Sequence, residues 1–104
     1  MDNSYHFSAS STKGDAEEAL KWYELSIILE PDFALPYNDI AAIYQQRGDS
    51  EKALNYLLRG IEANPDVLII HENLMRIYMQ SMDLEKVNYH KKRIQEIEIK
   101  NLLA

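Results

Sequence analysis

A chain of 104 residues and 12.1 kDa can bury one modest hydrophobic core and no second independent one. Its 46% hydrophobic and 27% charged residues suit a folded globular protein, and no apolar run approaches the roughly 20 residues of a membrane-spanning helix. The absence of cysteine removes disulfides and thiolate chemistry, and a net charge of −6 argues against nucleic-acid binding through a broadly basic surface.

In chain order, residues 1–13 read as an N-terminal segment, a degenerate first helix or a tail. Its opening, Met1-Asp2-Asn3-Ser4, lacks the basic patch and apolar stretch of a secretory signal, so a cytoplasmic protein is expected. Between residues 3 and 12 only Tyr5, Phe7 and Ala9 are apolar, while Ser4, Ser8, Ser10, Ser11 and Thr12 favour turns and caps. Residues 14–104 form the helical domain. Five helices are predicted, near 15–29, 34–46, 50–63, 67–80 and 84–102, with no strand.

The first predicted helix follows Gly14-Asp15 and places Ala19, Leu20, Tyr23, Ile27 and Ile28 on one face before Pro31 stops it. In the second, Ile40, Ala41, Ile43 and Tyr44 recur at steps of three and four, and Pro36 sits in the first turn, where a missing N–H costs nothing. Gly48 supplies a left-handed stop, and Asp49 or Ser50 can cap the third helix, with Glu51 near its positive end. That helix carries Ala53, Leu54, Leu57, Leu58 and Ile61 at helical spacing until Asn64-Pro65-Asp66 breaks it. The fourth retains Leu74, Met75 and Tyr78; the fifth retains Val87 and Ile94 and, with no closing proline, runs on towards Leu102.

These elements repeat. At an offset of 34, residues 13–33 match residues 47–67 at 8 of 21 positions, where chance would give about one or two. The matches include Gly14/Gly48, Asp15/Asp49, Ala19/Ala53, Leu20/Leu54 and Pro31/Pro65. Residues 34–66 match 68–100 at 8 of 33, among them Tyr44/Tyr78, Asp49/Asp83 and Lys52/Lys86. Each unit is a helix, a short turn, a second helix and another short turn.

Signals for catalysis or metal binding are missing. His71-Glu72 opens a zinc-protease-like pattern, but Met75 stands where the second histidine is required. His6 and His90 have no carboxylate or cysteine cluster at ligand spacing, and Gly14, Gly48 and Gly60 lie too far apart for a phosphate loop. The expectation is no enzyme, no cofactor and no metal. Tyr23, Tyr37, Tyr44 and Tyr78 fall at packing positions of the unit, which leaves Trp22, Tyr56 and Tyr89 either as surface anchors or, more commonly for such residues, as aromatics half-buried at a helix pair. His90-Lys91-Lys92-Arg93 spans one helical turn and cannot all face one way, so most of it reads as a solvated face.

The period and the residues Tyr37, Ile40, Ala41, Tyr44, Gly48-Asp49, Ala53, Leu57, Gly60 and Pro65 resemble the tetratricopeptide repeat family. That resemblance implies an all-α, right-handed α-α superhelix, a solenoid of about two and a half to three helix-turn-helix repeats. It also implies a concave face, lined by the first helix of each unit, that binds a peptide or helix of another protein. Here the lining would be Leu35, Asn38, Asp39, Ala42 and Gln45, then Ile69, Asn73, Arg76, Met79 and Gln80. The clamp by which some members hold a chaperone's acidic tail needs lysines that these positions do not supply. A protein-interaction adaptor is expected, with a self-associating scaffold module as the alternative. In the latter, Leu20, Tyr23 and Ile27 at one end and Ile94, Ile97 and Leu102 at the other would join copies into a homo-oligomer. Neither nucleic acid nor membrane is expected as a partner.

Overall fold

The computed structural model describes residues 13–104, and these form five α-helices with no strand among them. The expectations about residues 3–12, including Tyr5 and Phe7, lie outside the described residues. The helices are α1 (Lys13–Leu29), α2 (Leu35–Gln46), α3 (Ser50–Ala63), α4 (Leu68–Gln80) and α5 (Leu84–Leu103). Four of the five starts fall within a residue of the sequence expectation. The exception is α1, which runs through Gly14-Asp15, the two residues whose copies make the turn before α3.

The boundaries have local causes. Pro36 lies in the first turn of α2. After α2, Gly48 adopts φ +79°, and the Asp49 N–H reaches back 2.8 Å to the Tyr44 carbonyl, closing a left-handed helix stop. Asp49 then caps α3, its carboxylate accepting from the Lys52 N–H at 3.1 Å. One unit later the same device recurs: the Asp83 N–H bonds to the Tyr78 carbonyl at 2.9 Å, and Asp83 accepts from the Lys86 N–H at 3.3 Å. Here the left-handed position is filled by Met82, at φ 63°, where the preceding unit has glycine. Between α3 and α4, Asn64 accepts from the Asp66 N–H at 3.0 Å, and Pro65 prevents α3 from continuing.

The principal packings join helices consecutive in the chain, in a body of 44 × 33 × 23 Å. Ala41, Ala53, Leu57, Ile70 and Leu74 are essentially sealed from water. Each large aliphatic side chain in this group contributes about 1.5–3 kcal/mol by burial. Small residues set the spacing. A Cβ added at Gly60 would lie 2.8 Å from Ile70 Cδ1 of α4 and 3.1 Å from Tyr37 Cβ of α2, so three helices converge there because Gly60 has no side chain. Tyr37 fills the adjoining space and donates its hydroxyl to the Pro31 carbonyl at 3.1 Å, tying α2 to the turn after α1.

Candidate functional site

α2 and α4 are the first helices of successive units, and their shared face carries a polar run. Asn73 donates its amide to Asn38 Oδ1 at 2.6 Å, and Arg76 Nη1 donates to Asn73 Oδ1 at 2.6 Å. The direction is uniform, from guanidinium to amide to amide. Each amide oxygen accepts one internal bond and keeps a second lone pair, so the remaining hydrogen-bonding capacity of the run is mostly N–H donors: those left on Arg76, the amide group of Asn38 and the second N–H of Asn73. Asn38 and Asn73 are half-buried and Arg76 is exposed. Beside them, Asp39 is half-buried, and burial raises its carboxyl above the ordinary aspartate value. Burial, then the Asp39 charge, raises the Tyr23 phenol of α1 above the ordinary tyrosine value.

The other residues expected on this surface differ in accessibility. Leu35, Ala42, Ile69, Met79 and Gln80 are exposed, and Gln45 is half-buried. The sequence reading nominated Asn38, Asn73 and Arg76 separately. Their connection was not visible because Asn38 and Asn73 lie 35 residues apart, one step off the 34-residue register.

A second cluster joins α4 to α5 and was missed by sequence reasoning. His71 and His90, 1% and 5% exposed, meet with their Nδ1 atoms 2.9 Å apart. His71 Nε2 lies 2.8 Å from the Pro65 carbonyl, an acceptor, so this nitrogen carries the proton and donates. Tyr78 stacks on His90 with ring centroids 5.7 Å apart, and Tyr89 meets it edge-on at 4.9 Å. Burial, the His71 ring and the Arg93 charge, in that order, push His90 down to about 4. The signal was present in the repeat: at an offset of 34, His71 and His90 replace Tyr37 and Tyr56.

Within the basic cluster Lys91 and Lys92 are exposed. Arg93 is half-buried and bridges Asp66 at 3.1 Å and Glu96 at 2.8 Å, while Lys100 reaches Asp66 at 2.8 Å. Of the expected surface aromatics, Trp22 and Tyr89 are exposed. Tyr56 is half-buried and stacks on Tyr44 at 5.8 Å, so it belongs to the fringe of the core.

At the ends, Leu20 and Ile97 are buried within the chain, and Tyr23, Ile27 and Ile94 are half-buried. Only Leu102 of the six residues expected there is well exposed, at 84%. The apolar surface of α1 is carried instead by Trp22, Leu25, Ile28 and Leu29, and that of the α5 terminus by Ile99, Leu102 and Leu103. At offsets of 34 and 68, Leu25 and Ile28 correspond to Arg59 and Glu62, then to Arg93 and Glu96. α1 is thus apolar where α3 and α5 are charged.

Comparison with known proteins places this architecture. Residues 35–67 match a family model described as a tetratricopeptide repeat. No curated protein matches the chain. Among solved structures, a crystal structure of MamA is similar at TM-score 0.76 and 18% identity, over 86% of this chain and 53% of that one. A MamA RS-1 ArsTM double mutant is similar at TM-score 0.72 and 18% identity, over 84% of this chain and 49% of that one. The chain spans about half the length of each structure.

Proposed function

We propose that this chain, whose residues 35–67 match a tetratricopeptide-repeat model of a class that generally serves as protein-interaction scaffolds, is an adaptor that captures a peptide or helix of a partner on the face formed by α2 and α4. The observation that carries the reading is the Arg76–Asn73–Asn38 run, whose remaining hydrogen-bonding groups are mostly donors. Such a surface suits the backbone carbonyls and carboxylates of a partner segment, with exposed Leu35, Ile69 and Met79 offering apolar contact at its margins. Neither catalysis nor a cofactor is needed. A net charge of −6 disfavours nucleic acid, no helix among the described residues is long and apolar enough to cross a membrane, and a cytoplasmic setting fits the cysteine-free sequence.

The test is capture of partners with the full chain as bait, beside Asn73→Ala/Arg76→Ala, followed by mass spectrometry and a direct affinity measurement on whatever is enriched. The double variant should keep its helicity and lose no more than about 1.5 kcal/mol of stability, the size of the half-buried Asn73–Asn38 hydrogen bond it removes, because Arg76 is exposed. It should also lose the captured protein. Equal capture by both baits would remove this face from consideration.

A second reading, a self-associating scaffold module, is favoured by the apolar side chains that α1 and the end of α5 leave in water. Sedimentation at rising concentration separates it from the first reading, since only self-association raises the mass.

A further inference from the structure

Among the described residues, the His71–His90 pair is a buried titratable cluster that partner binding does not use. Its hydrogen bonds constrain its protons. His71 Nε2 must donate to the Pro65 carbonyl, so a neutral His71 has a bare Nδ1 that accepts from His90 Nδ1–H. A first proton leaves that bond intact only by placing a cation at His90 Nε2, or at His71 with a tautomer change in His90. A second proton sets two N–H groups against each other at 2.9 Å.

The surroundings supply no counter-charge. Arg93 on α5 adds positive charge beside His90. The Asp66 carboxylate on the α3–α4 turn is already bound to Arg93 and Lys100, and Glu96 on α5 is bound to Arg93. Lys86 on α5 lies 5.6 Å from the ring centre of Tyr78, the residue of α4 that stacks on His90; Tyr89 on α5 meets His90 edge-on. α3 approaches this end of α4 at Gly60, which carries no charge. Among the described residues no carboxylate touches either imidazole.

We propose that the His71–His90 pair is an acid-sensitive latch, which holds α5 against α4 near neutral pH and releases it as the imidazoles take up protons. The chain contains its own control. In the preceding unit the equivalent positions are Tyr37, which donates to the Pro31 carbonyl at 3.1 Å as His71 does to Pro65, and Tyr56, which stacks on Tyr44 as His90 does on Tyr78. Phenols do not titrate between pH 4 and 8. Acid therefore loosens the α4–α5 joint while α2–α3 stays shut, and in a linear stack such a terminal element opens by itself.

Amide hydrogen exchange on the full chain tests this, each rate corrected for its intrinsic pH dependence. From pH 7.5 to 5.0, protection across α5 should fall at least tenfold relative to α3. In His71→Tyr/His90→Tyr that relative loss should vanish. Unchanged α5 protection, equal loss in every helix, or the same loss in the double variant would each overturn the latch. Should that variant not fold, imidazole resonances of the parent protein decide. The latch requires that protonation and α5 opening occur together, and ordinary histidine titration with α5 still protected refutes it.

Discussion

At the residue scale, two positions carry backbone or packing constraints that make opposite predictions. Met82 holds φ 63° with its side chain 75% exposed, so the left-handed backbone costs about 1 kcal/mol and burial returns little. Met82→Gly should stabilise the protein by about 0.5–1 kcal/mol, after allowing for the greater freedom of an unfolded glycine. Urea unfolding with an unchanged slope and a higher midpoint would register the gain. Gly60 is the reverse case. A helical glycine normally gains about 1 kcal/mol on becoming alanine, but here the new Cβ meets Ile70 Cδ1 at 2.8 Å and Tyr37 Cβ at 3.1 Å. Overpacking of about 1–3 kcal/mol should win, so Gly60→Ala lowers the unfolding midpoint. A raised midpoint would show that Ile70 and Tyr37 yield at no cost.

At the scale of the element, the helices were legible because proline, glycine and aspartate punctuate them and because Ile40, Ala41, Leu57 and Leu74 keep a helical step. The beginning of α1 was not. Gly14-Asp15 and Gly48-Asp49 are the same residues, yet only the second pair makes a turn, closed by bonds to the Tyr44 and Gln45 carbonyls of α2. The letters do not carry those bonds. The faces were less legible than the spans. Leu20 and Ile97 were read as sticky ends but are buried within the chain, at 7% and 3% exposure. The apolar face α1 does expose contains Trp22 and Ile28, at 61% and 74%. Trp22→Glu/Ile28→Glu should therefore leave the unfolding free energy within about 0.5 kcal/mol of the parent's. If copies associate through this face, the same variant should sediment as a monomer where the parent does not. A large loss of stability would mean that the face is covered within the chain.

At the scale of the whole molecule, packing between consecutive helices makes stability a sum along the stack, and pH enters through its last joint. His90 is depressed in the folded protein to about 4, from an ordinary 6.5. The neutral form is favoured by folding, so this contribution is complete above pH 6.5 and is lost as pH falls towards 4. The loss approaches about 3 kcal/mol, which should appear as a falling thermal midpoint across that window and not in His90→Tyr. A flat profile from pH 7 to 4.5 would contradict the depressed value.

The crowding at Gly60 also bears on the order in which such a stack can change over generations. The Tyr37 contact is with its Cβ, which every residue but glycine carries, so a side chain gained at residue 60 is harmful chiefly while Ile70 keeps its present length. In the last unit the glycine position holds Ile94, and the position that matches Ile70 holds Ala104, a single methyl. Bulk at this pair of positions thus sits on one partner in each unit: glycine faces isoleucine in the middle of the chain, and isoleucine pairs in the sequence with alanine at its end.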